Sequence, residues 1–297
     1  MNSAVQAESS KNKRLPFWLR KTLPKGRALS STAHNLKIER LHTVCEEALC
    51  PNKTECWSQH TATYLALGSV CTRRCGFCDI DHSLTPPLPD SGECDRIADS
   101  VVQLKLRHTV ITMVSRDDLL DGGATHLSEI IHKIRCRSPK TTVETLSSDF
   151  QGNDESLKIL LRAAPEIFNH NLETVERLSP LVRHKATYKR SLNVLSLAAK
   201  ANVSMGIKSG IMVGLGEKEI EVKQTLDHLK NAGVTIVTIG QYLRPGKKKL
   251  AVKEYVLPET FSYYQSYGES IGLFIYSGPF IRSSYNAAEI INLIRQR

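Results

Sequence analysis

The chain has 297 residues, a net charge of +10 and a pI of about 9.2, and 41% of its residues are hydrophobic. This length fits one large domain or two ordinary ones, with enough apolar residues to bury a full core. No apolar run reaches transmembrane length and the first residues lack the apolar segment of a secretory signal, so we expect a cytoplasmic protein without a membrane partner. The basic charge suits an acidic partner, but no recognisable nucleic-acid module accompanies it, so we expect no nucleic acid.

A first group of three cysteines lies in the stretch CEEALCPNKTECW and comprises Cys45, Cys50 and Cys56. Pro51 and Asn52 favour a turn that brings the three thiols together. No fourth cysteine is near. Two interpretations stay open on spacing alone: a zinc site completed by His42 or His60, or an iron–sulfur cluster.

A second group, in CTRRCGFCD, comprises Cys71, Cys75 and Cys78. Three thiolates on one short loop can hold an iron–sulfur cluster and leave one iron open to another ligand. Zinc usually requires a fourth ligand, and a disulfide fits poorly with a chain that shows no export signal. Arg73 and Arg74 lie between the cysteines, and we expect them to lower the pKa of the thiols.

From Tyr64 onward, strand and helix patterns alternate. TYLALG predicts a strand that leads into the second cysteine loop, and HTVITMVS and VTIVTIGQYL predict further strands. GATHLSEIIHKIRCR and ETVERLSPLVR predict helices. Such alternation implies a parallel sheet with crossover helices, and about six units fit. We therefore predict an α/β fold, a partial (β/α)6 TIM-type barrel with its chemistry at the C-terminal ends of the strands.

Several stretches together resemble one family, the lipoyl synthases of the radical S-adenosylmethionine superfamily. They are the two cysteine stretches, SRDDLLDGGA, IFNHNLETV, YKRSLNVL, KSGIMVGLGE, TIGQYLRP and the tail GPFIRSSYNA. The resemblance runs from about Leu15 to about Ala288. It is specific because a generic radical enzyme would have only the Cys71 triad.

The resemblance implies two [4Fe-4S] clusters and S-adenosyl-L-methionine as cofactors. The Cys71 triad would bind the cluster whose open iron chelates S-adenosylmethionine, and the Cys45 triad would bind an auxiliary cluster. In the family a tail serine completes the auxiliary cluster, and we assign this role to Ser284. Spacing does not separate it from Ser283, and by residue type alone either serine favours a helix N-cap.

Weaker assignments complete the predicted site. We assign a catalytic role to Ser284 and Arg282, and cofactor binding to Gly122, Gly123, Glu144, Asn169 and Asn171. Each has a structural alternative: a plain turn for the glycines, a surface salt bridge for the arginine, and satisfaction of buried polar groups for the other three.

The activity implied by the resemblance is that of a sulfurtransferase. It inserts two sulfur atoms at C6 and C8 of a protein-bound octanoyl-lysine, with the auxiliary cluster as sulfur donor. The implied partners are octanoylated lipoyl carrier domains, of the glycine cleavage H protein or a 2-oxoacid dehydrogenase acyltransferase, and an electron donor such as ferredoxin or flavodoxin. Lys247–Lys249 could dock an acidic carrier. Two other hypotheses stay open: a radical sulfur-transfer enzyme acting on tRNA, and a zinc-stabilised binding module.

The motifs also suggest where the chain divides. The expected parts are a disordered leader (1–13), an N-terminal extension with the auxiliary cysteines (14–62), the radical S-adenosylmethionine barrel (63–256) and a C-terminal extension with the serine ligand (257–297).

Overall fold

Seven parallel strands form the main sheet in the computed structural model, which describes residues 15–20, 27–58, 63–201 and 204–284. The strands within these ranges are β1 (Thr63–Ala66), β2 (Val70–Cys71), β3 (Asp81–His82), β4 (His108–Met113), β5 (Thr142–Leu146), β6 (Ile167–Asn169), β7 (Gly206–Val213), β8 (Ile236–Gln241) and β9 (Phe274–Gly278). The main sheet has the order β1-β4-β5-β6-β7-β8-β9, and β2 pairs separately with β3. Within the main sheet each strand lies beside the next main-sheet strand along the chain, and no pairing joins the edge strands β1 and β9 in the described residues.

Helices follow or precede these strands. They are α1 (Arg27–Ile38), α2 (Val44–Glu47), α3 (Lys53–Ser58), α4 (Glu93–Gln103), α5 (Ala124–Arg137), α6 (Asp154–Arg162), α7 (Ser179–Val182), α8 (Tyr188–Ala201), α9 (Glu219–Asn231) and α10 (Pro258–Ser270). Short 3₁₀ turns cover Phe17–Leu19, Phe150–Gly152 and Glu176–Leu178.

The helices bury one face against the sheet, as α5 illustrates. Leu127, Ile130, Ile131 and Ile134 recur at helical spacing and are all 0% exposed. Burial of each such side chain stabilises the fold by about 1.5–3 kcal/mol. The strands β4 and β8 are buried throughout, as expected for parallel strands that are covered on both sides.

The predicted α/β fold is confirmed, with one strand more than the six units expected. β9 belongs to the stretch that we predicted as a C-terminal extension. It pairs in parallel with β8 along its whole length, from Phe274 opposite Ile236 to Gly278 opposite Gly240. The edge of the sheet therefore lies next to the serine tail.

The helix predicted over ETVERLSPLVR is wrong in its first half. Glu173 has a φ of 67° and forms a bridge with Ile211. Its N–H donates to the carbonyl of Gly210, and its carbonyl accepts from the N–H of Met212. These hydrogen bonds to β7 hold Glu173 out of a helix, and helical structure begins only at Glu176.

Some expectations fall on parts of the chain that the structure does not describe. The predicted leader, His60 and Tyr285 lie outside the described residues. Within those residues, none of the helices combines the length and apolar character that crossing a bilayer requires.

Candidate metal and cofactor site

The second cysteine loop begins at the end of β2 and is closed at its base. β2 and β3 pair Cys71 with His82, and the Ser83 N–H donates to the carbonyl of Cys71 at 3.0 Å. The Thr72 hydroxyl donates to the Ser115 carbonyl at 2.8 Å, which attaches the loop to the end of β4. The strand therefore sets the direction in which the following thiols project.

The Arg73 side chain pairs with two carboxylates, while its backbone N–H donates to the Cys71 sulfur at 3.4 Å. It is 5% exposed and forms salt bridges with Asp117 at 2.8 Å and Asp149 at 2.6 Å. Burial by itself lowers the pKa of Arg73, but these two carboxylates raise it overall. The expectation that Arg73 lowers the thiol pKa is therefore not supported, because its charge is neutralised by aspartates.

The role that we expected of Arg73, lowering the pKa of a thiol, belongs to Arg183. It is buried, and it attracts the Cys75 thiolate and so opposes the rise in thiol pKa that burial causes. The His184 N–H also lies 3.5 Å from the Cys75 sulfur. Burial lowers the pKa of Arg183, while the negative charges of Glu173 and Asp149 oppose that shift.

The first cysteine group is held by two short helices and the turn between them. Cys45 lies in α2, whose N-cap Thr43 accepts a hydrogen bond from the Glu46 N–H, and Cys56 lies in α3. Cys50 sits in the connection, followed by the expected turn. Cys45 is buried, and burial raises the pKa of its thiol to about 11.

The serine tail returns from β9 to this cysteine group. The Ile281 N–H donates to the Gly278 carbonyl at 3.1 Å, which turns the chain back over the strand ends. The Asn52 side chain donates to the Phe280 carbonyl at 2.7 Å. Asn52 lies between two cysteines of the first group, so the tail is attached directly to that group.

The two tail serines differ in their surroundings. The Ser283 hydroxyl donates to the Asn171 side-chain oxygen at 2.9 Å. No hydrogen bond to the Ser284 hydroxyl is found in the described part of the chain. Arg282 is partly buried, and burial lowers its pKa while attraction to Cys50 opposes that shift. Arg282 is therefore not a surface salt bridge.

One cavity of about 480 Å³ connects all these groups. All six cysteines of the two triads line it, as do Asn171, Arg282, Ser283 and Ser284. Much of the remaining wall is apolar and includes Leu65, Val114, Leu146, Ile211 and Met212. The cavity therefore has sulfur ligands at its wall and room for a hydrocarbon chain beside them.

The residues present fit two iron–sulfur clusters. All six thiols are free. Burial raises the pKa of Cys75, and that of Cys78 to about 12, and a bound metal would favour the thiolate form of both. No three His, Cys, Asp or Glu side chains in the described ranges are arranged to hold a single metal ion. Three cysteines in each group match the thiolate ligation of an iron–sulfur cluster, in which each thiol binds a different iron.

Four predicted cofactor residues do not line this cavity. Gly122 and Gly123 form the turn before α5, both with positive φ, and Gly123 packs so closely on Leu67 that a Cβ would lie 2.3 Å from it. Glu144 and Asn169 are 0% exposed and hydrogen-bond each other at 2.7 Å. These positions are accounted for by a turn and by buried polar pairing, the structural alternatives considered above.

Glu144 belongs to a network that is buried beneath the cavity. The Lys208 ammonium lies 3.0 Å from both Glu144 carboxylate oxygens, and both side chains are 0% exposed. Burial by itself raises the pKa of Glu144, but Lys208 and His108 lower it overall. The Asn169 side-chain oxygen and His108 Nε2 have no hydrogen-bond partner among the described residues, although His108 Nε2 lies 3.9 Å from a Glu144 carboxylate oxygen.

Three residues of the site were missed in the sequence, namely Glu173, His170 and Arg183. All three line the cavity. Burial raises the pKa of Glu173, and its carboxylate accepts from Asn171 at 3.0 Å. The polar residues of the FNHN and ETV stretches could have indicated His170 and Glu173. Because Glu173 was assigned to a helix, its place at the cavity was not predicted.

Two protein-family models match parts of this chain. The Radical SAM superfamily matches residues 65–240, and the N-terminal domain of lipoyl synthase of that family matches residues 1–50. The lipoyl synthase of Chlamydia felis (strain Fe/C-56) is 58% identical over 286 residues, covering 96% of this chain and 92% of the relative. That of Chlamydia trachomatis serovar D is 60% identical over 284 residues, covering 96% and 91%.

Solved structures resemble the fold at low identity. Methylornithine synthase (PylB) has a TM-score of 0.55 at 10% identity, covering 85% of this chain and 72% of that one. Streptococcus suis SuiB bound to S-adenosylmethionine has a TM-score of 0.57 at 12% identity, covering 76% and 54%. These similarities concern the fold alone.

Proposed function

The chain belongs to the lipoyl synthase family of radical S-adenosylmethionine enzymes, and from that premise we propose which of its residues perform the reaction. The enzyme inserts two sulfur atoms at C6 and C8 of an octanoyl-lysine on a lipoyl carrier domain. The observation that best supports our assignment is the single cavity lined by both cysteine triads and by Ser284.

The cofactors would supply the chemistry, and residues of the chain would bind and position them. When bound, S-adenosylmethionine and the two [4Fe-4S] clusters provide a 5′-deoxyadenosyl radical, which removes hydrogen from the acyl chain, and the sulfur atoms that replace it. We assign Cys71, Cys75 and Cys78 to the cluster that meets S-adenosylmethionine. We assign the Cys45 triad, with the tail, to the sulfur-donating cluster.

Ser284 is our choice for the oxygen ligand of the second cluster. The Ser283 hydroxyl already donates to Asn171, whereas the Ser284 hydroxyl has no hydrogen-bond partner in the described residues. An alkoxide-type oxygen matches iron less well than a thiolate does, so it favours release of the cluster's atoms. Arg282, beside Cys50, would offset the negative charge of the thiolates.

Asn171 and Glu173 are our candidates for contacts to S-adenosylmethionine. They line the cavity, and the negative charge of Glu173 acts on both Cys75 and Cys78. A carboxylate in this position can accept hydrogen bonds from ribose hydroxyls or an ammonium group. Gly122, Gly123, Glu144 and Asn169 would then act indirectly, by supporting the strand ends.

The acyl chain would lie along the apolar part of the cavity. Leu65, Val114, Ile211 and Met212 exclude water there, which protects a carbon radical from side reactions. Octanoyl-lysine is long and flexible, so it can reach this wall while its carrier domain stays outside.

The carrier would dock at the basic loop beside the second triad. Arg244 lies at the cavity and is exposed, as are Lys247 and Lys248. The Leu250 N–H donates to the Gly76 carbonyl at 2.9 Å, so this loop is fixed to the cysteine loop. A basic rim suits an acidic carrier face. We propose the glycine cleavage H protein or a 2-oxoacid dehydrogenase acyltransferase as carrier, ferredoxin or flavodoxin as electron donor, and the reducing cytoplasm as location because the six thiols must stay reduced.

The decisive experiment uses anaerobically reconstituted protein with S-adenosylmethionine, a reductant and an octanoyl-lysine peptide. Mass spectrometry should show two hydrogens replaced by two sulfurs, together with 5′-deoxyadenosine. Cys75→Ala should make neither product, Cys50→Ala should make 5′-deoxyadenosine alone, and Cys136→Ala, at an exposed cysteine outside both triads, should match wild type. Sulfur insertion by Cys50→Ala at the wild-type level would overturn the assignment of the first triad.

A further inference from the structure

Two glycines on neighbouring strands lie directly under the serine tail. Gly240 is near the end of β8, and a Cβ placed there would lie 2.1 Å from the Ile281 carbonyl oxygen and 3.0 Å from the Arg282 side chain. The closest atom belongs to the tail backbone, so a methyl group cannot be accommodated by turning a side chain. The carbonyl would have to move by about 1 Å.

Gly210, on the adjacent strand β7, is also crowded, but by side-chain atoms instead of backbone. A Cβ there would lie 2.7 Å from the Ser283 and Thr238 hydroxyls and 2.9 Å from the Asn171 side-chain oxygen. A methyl group at this position separates the Ser283 hydroxyl from Asn171, the contact that attaches the far end of the tail. Strand register places Gly210 opposite Thr238 and Met212 opposite Gly240, so the two glycines lie on the same face of the sheet, two residues apart in register.

Backbone conformation does not explain either glycine. Gly210 and Gly240 are absent from the glycines with positive φ, so any residue could adopt their backbone angles. The requirement is the close approach of the tail. Gly278 on β9 shows the contrast, because among the described residues a Cβ there would meet only the Ile281 side chain, at an ordinary 3.4 Å.

We propose that Gly210 and Gly240 are positioning residues, which form a shallow track for the segment Gly278–Ser284 across β8 and β7. By admitting this segment against the sheet, the track sets how far Ser284 reaches toward Cys45, Cys50 and Cys56. The inference rests on the proposed function of Ser284. It adds that the position of Ser284 depends on the absence of a Cβ at Gly210 on β7 and at Gly240 on β8.

The first test needs no cluster. Apoprotein is compared by amide hydrogen exchange in the peptide that contains residues 278–284, for wild type, Gly240→Ala, Gly210→Ala and Gly278→Ala. We expect exchange about tenfold faster in Gly240→Ala, a smaller increase in Gly210→Ala, and no change in Gly278→Ala. Circular dichroism and exchange in α5 confirm that each variant is folded.

The second test uses reconstituted enzyme and the assay described above. Gly240→Ala should still produce 5′-deoxyadenosine, because it leaves the Cys71 triad untouched, while sulfur insertion falls about a hundredfold. Gly278→Ala should retain both activities. The Mössbauer signal of the auxiliary cluster should change in Gly240→Ala and not in Gly278→Ala.

The outcomes separate this inference from the proposed function. If wild type inserts sulfur but Gly240→Ala exchanges and reacts like wild type, the track has no role and the inference is overturned. If wild type itself makes no sulfur product while the exchange pattern is as expected, the track orders the tail and the proposed function is at fault.

Discussion

Asn52 and Phe280 are 228 positions apart in the chain, and the Asn52 side chain donates a 2.7 Å hydrogen bond to the Phe280 carbonyl. This bond joins the first cysteine group to the tail that follows β9. The two predicted extensions therefore contain segments that meet at one wall of the cavity, which Asn52 and Ile281 both line.

This contact predicts the effect of Asn52→Asp. The carboxylate has nearly the same shape but cannot donate, and it faces a carbonyl oxygen in a buried place, since Asn52 is 1% exposed. We expect a loss of about 1–3 kcal/mol in the free energy of unfolding, measured by urea titration of the apoprotein. The exposed Asn153→Asp change retains its capping oxygen at α6 and should stay within about 0.5 kcal/mol of wild type. A stable Asn52→Asp protein would show that the two extensions are held together by other contacts.

The choice between the serines predicts the behaviour of Ser284→Cys. A thiolate holds iron more firmly than an oxygen ligand, so we expect sulfur insertion at least about tenfold slower with normal 5′-deoxyadenosine formation. Ser283→Ala removes only the hydrogen bond to Asn171 and should have a smaller effect. Sulfur insertion at the wild-type rate in Ser284→Cys would contradict the role that we assign to the oxygen ligand.

Glu173 is predicted to hold S-adenosylmethionine. Glu173→Gln removes a charged acceptor from the cavity, and we expect the dissociation constant for S-adenosylmethionine to rise about 10–100-fold in the reconstituted enzyme. Equilibrium dialysis under anaerobic conditions measures this constant. Glu176→Gln, three residues further on at an exposed position, is the matched control and should bind normally. Unchanged binding in Glu173→Gln would leave its carboxylate a structural role only.

The buried pair Glu144–Lys208 predicts a large effect on stability. Lys208→Met leaves a carboxylate that is 0% exposed without its cation, so we expect a loss of about 3–5 kcal/mol in the free energy of unfolding. The double variant Glu144→Gln/Lys208→Met should recover much of it, because no buried charge remains. Lys158→Met, which breaks an exposed pair with Glu155, should be nearly neutral. A double variant as unstable as Lys208→Met would mean that packing, and not charge, is lost.

His170 predicts the pH dependence of stability. Burial, reinforced by the nearby Arg183 charge, lowers the pKa of His170 from 6.5 to about 4. Below pH 6.5 the unfolded chain binds a proton that the folded chain excludes, so this stability is complete above pH 6.5 and is lost as pH falls toward 4. The loss amounts to about 3 kcal/mol. Urea titrations of the apoprotein between pH 4 and 7 should show a flatter profile for His170→Gln, with exposed His132→Gln as control. Identical profiles for wild type and His170→Gln would show that His170 does not titrate in this range.

Features whose residues lie close together in the chain could be predicted from the sequence. The Cys71 triad lies within one loop, so its spacing alone indicates a metal site, and periodic apolar residues indicate the strands and helices. The resemblance to a family added the partner cluster and the serine ligand. Six units were expected in the sheet, and the short strand expected in the tail, β9, is its seventh strand, because only the pairing with β8 shows that it belongs there.

Other features were decided by contacts between distant parts of the chain. Glu173 leaves the helical pattern because its backbone hydrogen-bonds to β7. The Arg73 charge is neutralised by Asp117 and Asp149. Glu144 pairs with Lys208 beneath the cavity, although by residue type it resembles a cofactor contact. Local periodicity contains no information about which segment crosses which strand, so only the packed chain determines these neighbours. Sequence therefore determined the class of chemistry and the ligand types, and tertiary structure decided which polar groups remain available at the cavity, since each buried group must first satisfy its nearest partner.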